Sequence, residues 1–131
     1  MTQNPIYDVC AVGNAIVDVL APCDPAFLTA QGLTPGSMQL VDAARSAALY
    51  AAMAAGVEAS GGSAGNTVAG IGSFGGRAAY IGKVADDGLG GVFTHDIRAA
   101  RVAFDTPVLP GAATGACMLS LIHISEPTRP Y

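Results

Sequence analysis

The chain has 131 residues, 51% of them hydrophobic and 12% charged, with a formal net charge of −4. That apolar content argues against disorder and leaves room for one domain of modest size. The acidic balance and the lack of any Lys/Arg run argue against nucleic acid or an anionic membrane as partner, and no apolar stretch reaches the roughly 18 residues of a membrane-spanning helix.

In chain order, Met1 to Tyr7 has neither a basic start nor an apolar core and does not read as a secretion signal. Tyr7 to Gly13 is a short apolar, β-branched run ending in glycine, the pattern of a buried parallel strand. Ile16 to Leu20 predicts a second strand, with Asp18 in its middle. Phe27-Leu28 and Gln31 to Gly36 read as turn-rich, and Ser37 to Val41 as an edge strand. Asp42 is placed to cap a helix from Ala43 to Ala55, closed by Gly56. A glycine-dense segment, Gly61 to Thr67, leads into a small-residue helix that runs to Phe74 and is broken by Gly75-Gly76. Ala78 to Val84 predicts the next strand, and Asp86-Asp87 the cap of a helix to about Ala100. Val102 to Phe104 and Gly115 to Leu119 predict two further strands. Strands alternating with helices imply an α/β fold with a parallel sheet and helices packed on its faces.

Cys10, Cys23 and Cys117 are scattered and form no CxxC, so neither a disulfide framework nor a zinc site is expected. They read as buried thiols of a reducing, cytoplasmic compartment. The string LSLIHISEPTRPY at the end contains no Ala or Gly, although both abound upstream. It resembles the translation of a transposase-type sequencing adapter. Residues 1–118 are therefore expected to be the native-like part, and 119–131 a non-native tail.

Two constellations carry chemistry: Gly13-Asn14-Ala15-Ile16-Val17-Asp18, and Gly61-Gly62-Ser63-Ala64-Gly65-Asn66 before a helix. Ligands of open α/β sheets collect at the carboxyl ends of strands. A carboxylate such as Asp18 accepts two hydroxyl hydrogen bonds from a vicinal diol; it could equally be a turn or cap residue. The glycine pair lets backbone approach a ligand, and the helix start adds unpaired N–H groups and partial positive charge. Asn66 offers both a donor and an acceptor. A plain linker would also explain Gly61-Gly62.

The segment GGSAGNTVAGIGSFGGRAAYIGKVADDGLGG resembles the N-terminal signature of the ribokinase-like (pfkB-type) carbohydrate and nucleoside kinases, closest to the adenosine-kinase-like branch. YDVCAVGNAIVD is similar to that family's first strand with its substrate aspartate, and VADDGLGGVF to its D-x-x-G segment. The likeness spans Tyr7 to Met118. It implies the N-terminal part of a three-layer α/β/α fold with a small β-sheet lid, to which Ile16–Leu20 and Ser37–Val41 would belong. It also implies that Asp18 holds sugar hydroxyls, with Gly61, Gly62 and Asn66 completing the acceptor site, and that the lid forms a homodimer in some relatives. Val68 and Ala85 depart from the strict signature. Ser63 stands where sugar-specific members often carry Lys, which weakly favours a nucleoside over ribose.

Family members use ATP and Mg²⁺ and take their catalytic Asp and anion hole from a later G-A-G-D-type motif. This chain has no such motif. It is expected to hold an acceptor half-site for a sugar or nucleoside, with no catalytic residue of its own and no nucleotide or metal site. A short non-catalytic binding module is the alternative. Gly70 to Gly75 matches GxGxxG, but it follows residues that read as helix rather than strand, so a dinucleotide site is not expected. His95 reads as a solvated surface residue, and His123 falls in the expected tail.

Overall fold

The computed structural model describes residues 5–121. Ten elements follow in chain order: β1 (Val9–Val12), β2 (Ile16–Pro22), α1 (Pro25–Ala30), α2 (Ala43–Ala52), β3 (Val57–Gly61), α3 (Ser63–Ser73), β4 (Ala78–Ile81), α4 (Gly88–Ala99), β5 (Val102–Ala103) and β6 (Gly115–Leu121). They make two three-stranded sheets, ordered β1-β4-β5 and β3-β2-β6. β4 runs parallel to both β1 and β5, as the strand–helix alternation predicts.

Two compact units are built from these elements, one from residues 5–19 with 58–117 and the other from 20–57 with 118–121. The larger unit centres on three aromatic rings. Tyr80, Phe93 and Phe104 are buried, with ring centroids 5.6 to 5.8 Å apart, in tilted and edge-on arrangements that suit their quadrupoles. Val17, Val68, Ile97 and Val102 are buried in the same unit. The starts of β1 and β4 are held by Asp8 and Arg77. The Arg77 amide donates to Asp8 Oδ2 at 2.9 Å and Arg77 Nη2 to Oδ1 at 2.7 Å. The Arg77 guanidinium holds the Asp8 carboxyl at about 2, although so exposed a pair adds little stability.

In the smaller unit α1 and α2 each bury one leucine, Leu28 and Leu49. Arg45 reaches from α2 to Gln31, its Nη1 donating to Oε1 at 3.0 Å and its Nη2 to the main-chain oxygen.

Several expectations need correction. Phe27 and Leu28 lie in α1, a helix that Asp24 caps by accepting from the Phe27 amide and that Pro25 opens. Ser37 to Val41 form no strand; Met38 and Leu40 are 87% and 93% exposed, so no neighbour supplies the ladder that a strand requires. α2 ends at Ala52, short of Gly56. Instead, Gly56 lies against the Leu20 carbonyl, where a Cβ would collide. The thiols are not uniformly buried: Cys10 and Cys117 are exposed and Cys23 intermediate. The strand expected over Gly115 to Leu119 runs on to Leu121 as β6; residues 122–131, with His123, lie outside the described residues.

Candidate functional site

Asp18 is half-buried on β2, between β3 and β6. Alternation along β2 buries Val17 and Val19 and turns Asp18 to the opposite face. Gly61 ends β3 directly against it. A Cβ at Gly61 would stand 2.5 Å from Asp18 Oδ2 and 2.9 Å from Oδ1, so only glycine admits the carboxylate there. Gly62 follows with φ 85°, the left-handed region that favours glycine, and a Cβ on it would meet the Asn14 carbonyl at 2.8 Å. The two glycines thus have separate reasons, one steric and one conformational.

α3 starts at the next residue with no side-chain cap. Its first internal bond runs from the Asn66 amide to the Gly62 carbonyl at 2.8 Å. The N–H groups of Ser63, Ala64 and Gly65 therefore lack intrahelical acceptors, at the positive end of the helix dipole. Asn66 is exposed in the first turn. Asp18, Gly61 and Gly62 come together in consecutive contacts. Among the described residues no hydrogen bond joins the Asn66 side chain to them.

A cavity of about 560 Å³ opens at the carboxyl ends of β1 and β4, lined by Gly13, Asn14, Gly82, Lys83 and Thr106 among others. This is the rim at which open sheets collect ligands. None of Asp18, Gly61, Gly62 and Asn66 lines it. Asn14 is the link, since it lines the cavity and its carbonyl meets Gly62. Sequence reasoning took Gly13 to Asp18 as one constellation without singling out Asn14. Lys83 was missed altogether; its Nζ is held by the Pro107 carbonyl at 2.9 Å, and a lone lysine after a strand carries no sequence signal.

Below the rim Tyr80 is buried, and its Oη has no hydrogen-bond partner among the described residues. Burial pushes the phenol up. Its ring fills the space beside Gly13 and Gly82, where added side chains would strike it.

The segment resembling D-x-x-G is a tight polar knot. Asp87 caps α4, accepting from the Gly90 amide at 2.7 Å, from Thr114 Oγ1 at 2.6 Å and from the Thr114 amide at 2.8 Å. Thr114 Oγ1 in turn accepts from the Ala85 amide at 2.9 Å. Burial opposes ionisation of Asp87, but the bonds from Thr114 and Gly90 outweigh it and hold the carboxyl below its usual value. Gly70, Ile71, Gly72 and Ser73 lie inside α3, so the GxGxxG match does not follow a strand. The His95 side chain is 81% exposed beside Asp96. Among the described residues no three His, Cys, Asp or Glu side chains gather.

No family model matches the chain, and neither does any curated protein. Solved structures do. An adenosine kinase from Sinorhizobium meliloti is 56% identical over 87% of this chain, with a TM-score of 0.73. A probable sugar kinase from Rhizobium etli is 48% identical over 86%, also at 0.73. The adenosine kinase of Trypanosoma brucei brucei, 23% identical over 90%, shares the fold at a TM-score of 0.76. This chain spans 35%, 34% and 38% of those three proteins, about a third of their length.

Proposed function

We propose that this chain, whose fold is that of the ribokinase-like (pfkB-type) adenosine and sugar kinases, is the acceptor-binding part of an ATP-dependent kinase acting on a nucleoside or sugar hydroxyl. The observation that carries this reading is the packing of the Asp18 carboxylate on Gly61, one residue before the left-handed Gly62 that opens α3. An ionised carboxylate accepts from two hydroxyls at once, and such charge-assisted bonds are about twice as strong as neutral ones. With no Cβ at position 61, a ligand ring could approach the same carboxylate. Asn66 would add a donor and an acceptor, and the free N–H groups of α3 would favour negative charge.

In such a kinase ATP supplies the phosphoryl group and Mg²⁺ screens its charge. The described residues offer no cluster fit to hold a metal, so no step is assigned to one here. The task left to Asp18 and its neighbours is to bind and orient the accepting hydroxyl, a positioning contribution. No residue of this chain is assigned as general base, because the sequence has no G-A-G-D-type motif. A nucleoside is favoured over a plain sugar by the 56% identity to an adenosine kinase and by Ser63.

Calorimetric titration of the full chain with adenosine and with ribose tests this. Binding of adenosine in preference to ribose is expected, weakened about tenfold or more in Asp18→Ala. Equal binding by the variant and the parent would overturn the reading. A binding module without catalysis is the second reading; it predicts the same titration and no phosphotransfer.

A further inference from the structure

Strand register sorts the side chains of the β1-β4-β5 sheet by face. Along β1, Cys10 and Val12 alternate with Val9 and Ala11. Pairing sets Ala11 beside Tyr80, Cys10 beside Ala79 and Val12 beside Ile81, with Ala103 of β5 beyond Ala79. The Tyr80 face is covered. A Cβ on Gly13 would stand 2.7 Å from Ala64 of α3, and the Tyr80 ring packs on Phe93 of α4. The opposite face carries Cys10, Val12, Ala79, Ile81 and Ala103, with no charged group among them. On it Val12 and Ile81 are 73% and 49% exposed, and Cys10 is exposed. Parallel sheets occur almost only with both faces covered, and among the described residues this face has no cover. β1 is also an outer strand of its sheet. Its Val9 and Gly13 amides donate to the carbonyls of Arg77 and Ile81, so by alternation those of Cys10 and Val12 point to the open edge.

We propose that this face and this edge together are the docking surface for the part of the kinase fold that the chain does not span, which brings a helix across Val12 and Ile81 and a strand beside β1. Two observations choose that occupant. The chain spans 35% and 34% of the two rhizobial kinases, so the shared fold holds further polypeptide. The patch is also one helix wide. It offers five side chains, whereas a stable interface between two copies takes about 20–30 residues a side. The apolar stripe of a single amphipathic helix has the matching width. This inference rests on the shared fold and not on the acceptor reading, so a failure to bind adenosine leaves it standing.

The test co-expresses the tagged full chain with the part of the Sinorhizobium meliloti adenosine kinase that it does not match. That part should co-purify in equal amount. Val12→Asp or Ile81→Asp, each placing a charge under the helix, should lower its recovery about tenfold or more. Val57→Asp, at an exposed valine of the smaller unit, should leave it unchanged. Absence of co-purification, or equal recovery with every variant, overturns the proposal. An aspartate could also disturb β1, so a second readout keeps the parent sequence. Alkylation of Cys10 by iodoacetamide, followed on its peptide, should slow about tenfold or more in the complex; an unchanged rate puts the partner elsewhere and overturns the proposal. In the chain by itself, neither deletion of residues 122–131 nor dilution should change that rate. A faster rate on deletion makes the chain's own end the cover, and a faster rate on dilution makes it a second copy; either overturns the proposal.

Discussion

At position 61 a methyl group would meet Asp18 Oδ2 at 2.5 Å, so Gly61→Ala must displace the carboxylate or the strand that carries it. The expected cost is about 1–3 kcal/mol of stability, read as a lower melting temperature. Asp18→Ala in the same chain removes the obstacle, so the double variant should recover most of that loss. Strict additivity of the two single effects would show that the contact is not the cause. Tyr80→Phe should act in the opposite direction. Its buried hydroxyl has no partner among the described residues, so deleting it is expected to be neutral or stabilising by up to about 1 kcal/mol. A loss of more than that would mean that Oη is satisfied in solution. Asp18 and the Gly61-Gly62 pair were picked out together through the family resemblance, because on their own a carboxylate near a turn and a glycine pair before a helix have plain structural uses as well.

Among the elements, α3 and α4 open in contrasting ways. α3 has a glycine start and no side-chain cap, which leaves its first amides open to a ligand. α4 is closed by Asp87, which in turn binds Thr114 just before β6. Asp87→Ala is expected to cost about 1–2 kcal/mol, in the range of a lost helix cap, with Asp87→Asn in between. The pH dependence has a definite sign. The folded state holds the Asp87 carboxyl below its ordinary 3.8, so its contribution is present above that value and is lost as the pH falls through the lower folded value. Acid unfolding curves of the parent and Asp87→Asn should therefore converge at low pH; curves that stay parallel would contradict this. Both caps, Asp42 and Asp87, were legible, because an acidic residue before a run of helix formers has a local meaning. α1, with Asp24 as its cap and Pro25 at its start, lies where the sequence reads as turn-rich, because six residues are too few to show a helical period. β3, with the sequence VEASG, gives almost no periodic signal; its strand character comes from pairing with β2, which is not a local property. Ser37 to Val41 shows the converse: local strand pattern without a partner.

For the molecule as a whole, the parallel sheet was legible from the alternation of strands and helices, and the kinase likeness from the joint spacing of several weak motifs. What the sequence did not reveal was which atoms meet, namely Asn14 with Gly62 and Asp18 with Gly61. Incubation of the full chain with ATP, Mg²⁺ and adenosine is expected to give no AMP above a blank, because the sequence has no G-A-G-D-type motif. Turnover that depends on Asp18 would reverse that. The three packed rings also have an optical consequence. The chain has no tryptophan and four tyrosines, and one of the four, Tyr80, is locked between Phe93 and Phe104. A ring held in an asymmetric cage dominates near-ultraviolet circular dichroism, while mobile phenols average toward zero. Tyr80 should therefore serve as an intrinsic spectroscopic probe of core melting, and in an alkaline absorbance titration its phenolate should appear only above the pH at which an ordinary phenol ionises.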